Sequence, residues 1–262
     1  MRQKSLVRFF ILSAAVTVFI SACNSRMENT LSQVSTIDAL LAGVYEGEIS
    51  LKQLLAMGNT GIGTFDCLDG EMIVLDSKVY QIKADGRVYT PSLDTATPFA
   101  AVINFQVEDV LRSKEDMDYP ALKKMLDKIS PKQNLFYAFK ITGSFASMKT
   151  RSVPRQKKPF PPLAQVVKNQ PVFNMKNVSG TIVGFRCPAY VKGINVTGYH
   201  LHFISDDHKR GGHILQFKML KGASIKLDCS NKFFMVLPDS RSGFNKTDLN
   251  VDRSKELHKV EK

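Results

Sequence analysis

This chain has few cysteines and no long apolar run, and each shortage excludes a class of protein. Four cysteines occur in 262 residues. With Cys23 set aside at the end of an apolar stretch, Cys67, Cys187 and Cys229 form an odd set without a close pair, so a disulfide scaffold is not expected. None of the three has the sequence neighbourhood of a nucleophile, and packed small side chains are the simpler reading. The longest apolar run, from Phe9 to Ala22, covers fourteen residues, short of the roughly 20 that a membrane-spanning helix needs. The glycine-rich stretch NTGIGTFDCLD at 59–69 lacks the spacing and the Lys-Ser/Thr pair of a phosphate-binding loop. Zinc-finger spacing, aromatic-basic nucleic-acid motifs, short-period repeats and a regular βαβ rhythm are all missing. The formal charge of +12 drops to +9 without Arg2, Lys4 and Arg8, and most of the remainder is dispersed. It therefore reads as solubility with some attraction for anions, and no nucleic-acid partner is expected.

What is present begins at the amino terminus. The positive MRQKSLVR followed by the apolar run has the form of a secretory leader. Ile20-Ser21-Ala22-Cys23 resembles a bacterial lipoprotein processing signal, which predicts a signal peptide over 1–22, lipidation at Cys23 and a polar tether over 23–31. On that reading the protein is exported and lipid-anchored to a bacterial membrane, with a cytoplasmic protein as the alternative. A single globular unit over 32–262 follows, its two β-rich halves dividing near 130–170.

Ser35 is placed to cap a helix carrying Ile37, Leu40, Leu41 and Val44 on one stripe, and Ser50 to cap a second with Leu51, Leu54 and Leu55. EMIVLD and KVYQIKA alternate as strands around Asp76-Ser77, with a further turn at Asp85-Gly86. FAAVINF at 99–105 is another strand. A helical portion is expected over 110–129, with Pro120 beginning or kinking it. LFYAFKITG and SFASMKTRSV resemble paired strands with Gly143 between them. Four prolines in nine residues make PRQKKPFPP a rigid loop. LAQVVKNQ reads as a short helix, five further strands lie between 172 and 238, and 246–262 reads as a charged helical tail. The expected class is α+β, with two sheet-rich mixed or antiparallel β subdomains and flanking helices.

The chain contains five histidines, and four of them fall between 200 and 213. In VTGYHLHFI the period of two puts His200 and His202 on one face of a strand. A hairpin through SDDHKRGG would return His213 beside them. Three imidazoles on a rigid sheet with no obvious fourth ligand suit a catalytic Zn²⁺ with an open position. Two ordinary hydrogen-bonded histidines are the plain alternative. Glu71 begins a strand after Asp69-Gly70, Arg151 ends another, Arg155 follows Pro154, and Glu261 lies almost at the carboxyl end.

These strings are recognisable together. STIDALLAGVYEG, GIGTFDCLDGEMIVLD, YQIKADGRVY, TPFAAVINF, TRSVPRQKKPFPPL, VVKNQPVF, GTIVGFRCPAYVKGINVTGYHLHFISDD and GGHILQF closely resemble bacterial α-acetolactate decarboxylases, in order, from Ser35 to Phe217. The resemblance implies a zinc ion held by His200, His202 and His213, with His208 outside the ligand set. It further implies an active-site Glu71, a pocket Thr64, a pocket Arg151 with Arg155 as a lesser neighbour, and a carboxyl-terminal Glu261, or Glu256 if small gaps shift the match. A homodimer is implied as well. The implied reaction converts (S)-2-acetolactate to (R)-acetoin and CO₂. Its C3 carbonyl already accepts the electrons freed at C2, giving an enediolate, so no thiamine, pyridoxal or nicotinamide is needed. Zinc would act as Lewis acid, Arg151 would orient the carboxylate, and Glu71 or Glu261 would protonate one face. The rival readings are a non-enzymatic, metal-stabilised binding lipoprotein and a zinc hydrolase of a small anionic substrate.

Overall fold

The structure, a computed structural model, describes residues 28–239 and 243–261. The chain opens with β1 (Thr30–Val34), α1 (Ile37–Leu41), β2 (Ile49–Ser50), α2 (Leu51–Met57) and β3 (Thr60–Thr64). There follow β4 (Glu71–Leu75), β5 (Lys78–Ile82), β6 (Val88–Tyr89), β7 (Ala96–Thr97), β8 (Ala100–Ile103), β9 (Asp109–Arg112), β10 (Met117–Asp118) and α3 (Tyr119–Ile129). The second half has β11 (Phe136–Arg151), α4 (Leu163–Val166), β12 (Val172–Cys187), β13 (Gly198–Ser205), β14 (Gly211–Met219), β15 (Ser224–Ser230), β16 (Lys232–Val236) and α5 (Ser254–Val260).

Two seven-stranded sheets carry the fold, which is the expected α+β class. The first runs β16-β1-β8-β3-β4-β5-β6, and the second β10-β14-β13-β12-β11-β15-β9. Pairing is antiparallel except where β16 lies parallel to β1. In the second sheet β14 also pairs with the far half of β11, so β11, β12, β13 and β14 close into a ring. Leu31, Ile62, Ile73, Ile82, Ala101 and Ile103 from the first sheet pack on Phe136, Ala138, Val183, Phe185 and Ile204 from the second. Each fully buried large aliphatic or aromatic side chain there contributes about 1.5–3 kcal/mol. This shared core holds β4 against β13 and so fixes where the site can form.

Several local expectations are corrected. Thr36, not Ser35, caps α1, its Oγ1 accepting from the Ala39 N–H at 3.2 Å, because Ser35 adopts a left-handed φ of 58°. Ser50 does cap α2, and Gln53 completes a reciprocal capping box. LFYAFKITG and SFASMKTR are not a hairpin but one continuous strand of 16 residues, β11. Gly143 lies inside it opposite Gly180, where a Cβ would meet the Ala223 Cβ at 2.7 Å. That glycine answers a close approach and not a turn. The region expected to be helical over 110–129 is helical only from Tyr119, since β15 and β14 recruit its first part as β9 and β10. Within the tail the helix is confined to Ser254–Val260.

The expectation of an exported, lipid-anchored membrane protein is corrected too. No helix among the described residues is long and apolar enough to cross a membrane. The leader over 1–22 and Cys23, which carried that expectation, lie outside the described residues, and Thr30 and Leu31 of the expected tether are the first residues of β1. Cys67, Cys187 and Cys229 are free thiols, Cys187 being buried.

Candidate active site

The histidine cluster follows from one hairpin. Ser205 Oγ donates to Asp207 Oδ1 at 2.5 Å and accepts from the Arg210 N–H at 3.1 Å, closing the polar loop between β13 and β14. That closure sets His202 directly opposite His213, while His200 sits two residues along on the same face. Ring centroids lie 5.0 Å apart for His200–His202, 5.1 Å for His200–His213 and 5.3 Å for His202–His213. One nitrogen from each ring falls within 4.8 Å of the others. His208, at φ 51° in the loop, packs at a tilt against Tyr80 and is not part of the cluster.

The chemistry of these donors fits a metal. His202 Nδ1–H donates a hydrogen bond to the Met72 carbonyl oxygen at 3.0 Å, which leaves the Nε2 lone pair facing the other rings. Burial, reinforced by the Arg151 charge, pushes His200 down to about 3. Burial likewise drives His202 and His213 well below the usual imidazole range, with neighbouring His200 adding to both. Neutral imidazoles crowded together are the form in which histidine ligates.

Around them stand the charged groups that the sequence singled out. Glu71 enters from the start of β4, its Oε2 3.6 Å from His202 Nε2. Gly70 at φ +95° makes the turn into that strand, and Thr64 Oγ1 donates to the Gly70 carbonyl at 2.7 Å. Thr64 thus lines the cavity while its hydroxyl proton holds the turn. A Cβ on Gly70 would meet the Ile82 carbonyl at 2.3 Å. Gly70→Ala is accordingly expected to cost about 1–3 kcal/mol of stability and to displace Glu71, which thermal unfolding and turnover will register together.

Arg151 ends β11 opposite His213. Its Nη1 donates to Glu71 Oε1 at 3.3 Å and to Gln170 Oε1 at 3.1 Å, and its Nη2 donates to the Val260 carbonyl at 2.7 Å. The guanidinium therefore fastens the carboxyl-terminal helix over the site and brings Glu261 Oε2 to 3.8 Å from His213 Nε2. Glu256 is not among the residues lining the cavity, whereas Glu261 is. Burial pushes the Glu71 carboxyl up to about 7 against the pull of Arg151, with Glu261 adding to the rise. Burial raises Glu261 to about 7 as well, again opposed by Arg151. Arg155 lies apart, over half exposed and 3.7–3.8 Å from Asp66 and Asp69. Thr64, Glu71, Arg151, His200, His213 and Glu261 share one cavity with an apolar wall that includes Leu40, Phe99 and Leu163.

Sequence reasoning missed two partners here. Gln170 sits in the VVKNQPVF string without a sequence signal for a site role, and the Met72 carbonyl carries no side-chain signal at all. Only the folded register brings either to the site.

Comparison with known proteins gives a consistent match. The profile of the family described as "Alpha-acetolactate decarboxylase" matches residues 31–251. An alpha-acetolactate decarboxylase of Methanosarcina mazei is 48% identical over 239 residues, covering 91% of this chain and 82% of that protein. One from Bacillus subtilis is 38% identical over 229 residues, covering 87% of this chain and 89% of its own length. The crystal structure of alpha-acetolactate decarboxylase from Bacillus subtilis strain 168 superposes with a TM-score of 0.85 at 36% identity, covering 88% of this chain and 99% of that one. A Staphylococcus aureus protein, described as of unknown function and similar to alpha-acetolactate decarboxylase, superposes with a TM-score of 0.82 at 29% identity, covering 88% of this chain and 98% of its own.

Proposed function

This chain belongs to the alpha-acetolactate decarboxylase family, and from that premise we propose that it converts (S)-2-acetolactate to (R)-acetoin and CO₂ at the cavity bounded by its histidine cluster. The observation that carries the proposal is a cluster of three neutral imidazoles, two of which, His200 and His213, line one cavity together with Glu71, Arg151 and Glu261. In this reading His200, His202 and His213 hold a zinc ion. Bound there, zinc would supply Lewis acidity toward the oxygens beside the breaking carbon–carbon bond.

The remaining work falls to the chain itself. Arg151 offers fixed positive charge that orients the substrate carboxylate, and it keeps Glu71 and Glu261 at their stations. The apolar wall excludes water, which strengthens every charge interaction inside and keeps adventitious protons away from the carbon that has lost CO₂. A carboxyl proton delivered from one side then sets the configuration of the product, and Glu71 and Glu261 are the two groups placed to hold it. The homodimer implied by the family resemblance is part of the proposal, with sedimentation as its check.

Taken alone, the three-imidazole cluster suits a metal-stabilised binding module or a zinc hydrolase of a small anionic substrate equally well. One assay separates them. Purified protein is given 2-acetolactate, and CO₂ and acetoin are measured before chelation, after it, and after Zn²⁺ is restored. Loss and recovery of both products are expected. A folded, zinc-loaded protein that releases neither would overturn the decarboxylase reading.

A further inference from the structure

A second, larger cavity lies on the outer side of the carboxyl-terminal helix. It holds about 500 Å³ of free space against about 40 Å³ for the inner cavity, and Glu261 is the one residue that lines both. The Glu261 side chain is 18% exposed, while Glu71 is 9% and Arg151 and His213 are each 4% exposed. Within the charged cluster, therefore, the residue shared with the outer cavity is the most exposed.

The walls of that outer cavity carry cationic groups. Lys123 and Tyr119 stand four residues apart on α3, and the Lys123 ammonium sits over the Tyr119 ring, 4.8 Å from its centroid. Lys192 is neutralised by Asp252 at 2.9 Å. Lys123 makes no ion pair among the described residues. An aromatic face lowers the energy of a cation without cancelling its charge, so the Lys123 ammonium remains available to an anion.

We propose that this outer cavity is a landing site for the carboxylate of the substrate, with Lys123 as its capture residue, before the substrate passes Glu261 into the inner cavity. The inference rests on the decarboxylase reading for the identity of the substrate, a small 2-hydroxy-3-oxo carboxylate. Its physical basis is separate from that reading. A hydrated anion gives up water in two stages if a cation meets it in a wide cavity before the narrow, apolar-walled one. A unit charge at the mouth of a cleft raises the local concentration of the anion in a salt-dependent way.

The test compares wild type, Lys123→Gln and Lys124→Gln at low and high ionic strength. Lys124 is the exposed next residue on the same helix and does not line the cavity, so it controls for net charge. Lys123→Gln is expected to lower kcat/KM by roughly threefold or more at low salt, to leave kcat within about twofold, and to flatten the salt dependence. Lys124→Gln should behave as wild type. Equal effects of the two substitutions, or an unchanged salt slope in Lys123→Gln, would overturn the landing site. If the wild type proves inactive on 2-acetolactate, it is the decarboxylase reading that fails. Calorimetric binding of 2-hydroxy-2-methylpropanoate then decides the landing site by itself: weaker binding to Lys123→Gln upholds it, and unchanged binding ends it.

Discussion

His200→Ala protein is expected to fold, to lose more than about 100-fold in zinc affinity and to fall by at least about 10³-fold in acetoin release. His200 is the right residue for this experiment because it is the least buried of the three imidazoles, and its ring hydrogen-bonds to His202 Nε2 at 3.2 Å. Truncating it opens the cluster without emptying the packed core behind β13. His202, by contrast, is 1% exposed and tied to the Met72 carbonyl, so its loss would mix metal binding with stability. Two remaining imidazoles leave an ion half-held, and water or a carboxylate would complete its shell. Metal content per chain, circular dichroism and turnover are measured on the same preparation. Native zinc content with native turnover would remove His200 from the proposed ligand set.

Arg151→Lys is expected to lower kcat by about 10²–10³-fold while the protein stays folded. Lysine keeps the charge but not the planar fork, and the geometry requires that fork. One amino group of the guanidinium, Nη1, serves Glu71 and Gln170 while the other, Nη2, holds the Val260 carbonyl. A lysine ammonium at the end of a flexible stem cannot reproduce both sets of bonds at once. The carboxyl-terminal helix should therefore loosen, which hydrogen exchange over 254–261 will detect independently of activity. Arg155→Lys supplies the contrast, since Arg155 is exposed and outside the cavity, and near-native turnover is expected. Unaltered kcat and unaltered exchange in Arg151→Lys would show that the fork is dispensable.

Much of the site was legible before folding was considered. Alternation in VTGYHLHFI put His200 and His202 on one face, and the polar SDDHKR stretch marked the loop that brings His213 back. Local periodicity encodes such facts directly, because side-chain direction in a strand depends only on position. Beta-strand length was harder to read. Gly143 looks like a turn from its neighbours, yet it lies within a 16-residue strand paired with β12 through Gly180, and the glycine is there because Ala223 leaves no room for a side chain. Residues 110–112 lost their expected helix for a related reason, since the exposed edge of β15 offered them backbone partners.

By itself the sequence determined the α+β class and the family, and it named the side chains proposed for the chemistry, all from local pattern and residue identity. Only the tertiary structure decided that Arg151 fastens the carboxyl-terminal helix, that Glu261 and not Glu256 meets His213, and that the Met72 carbonyl orients His202. Those three contacts join residues separated by 109, 48 and 130 positions along the chain. Contacts over such separations depend on strand register and sheet packing, and no short window of sequence contains either.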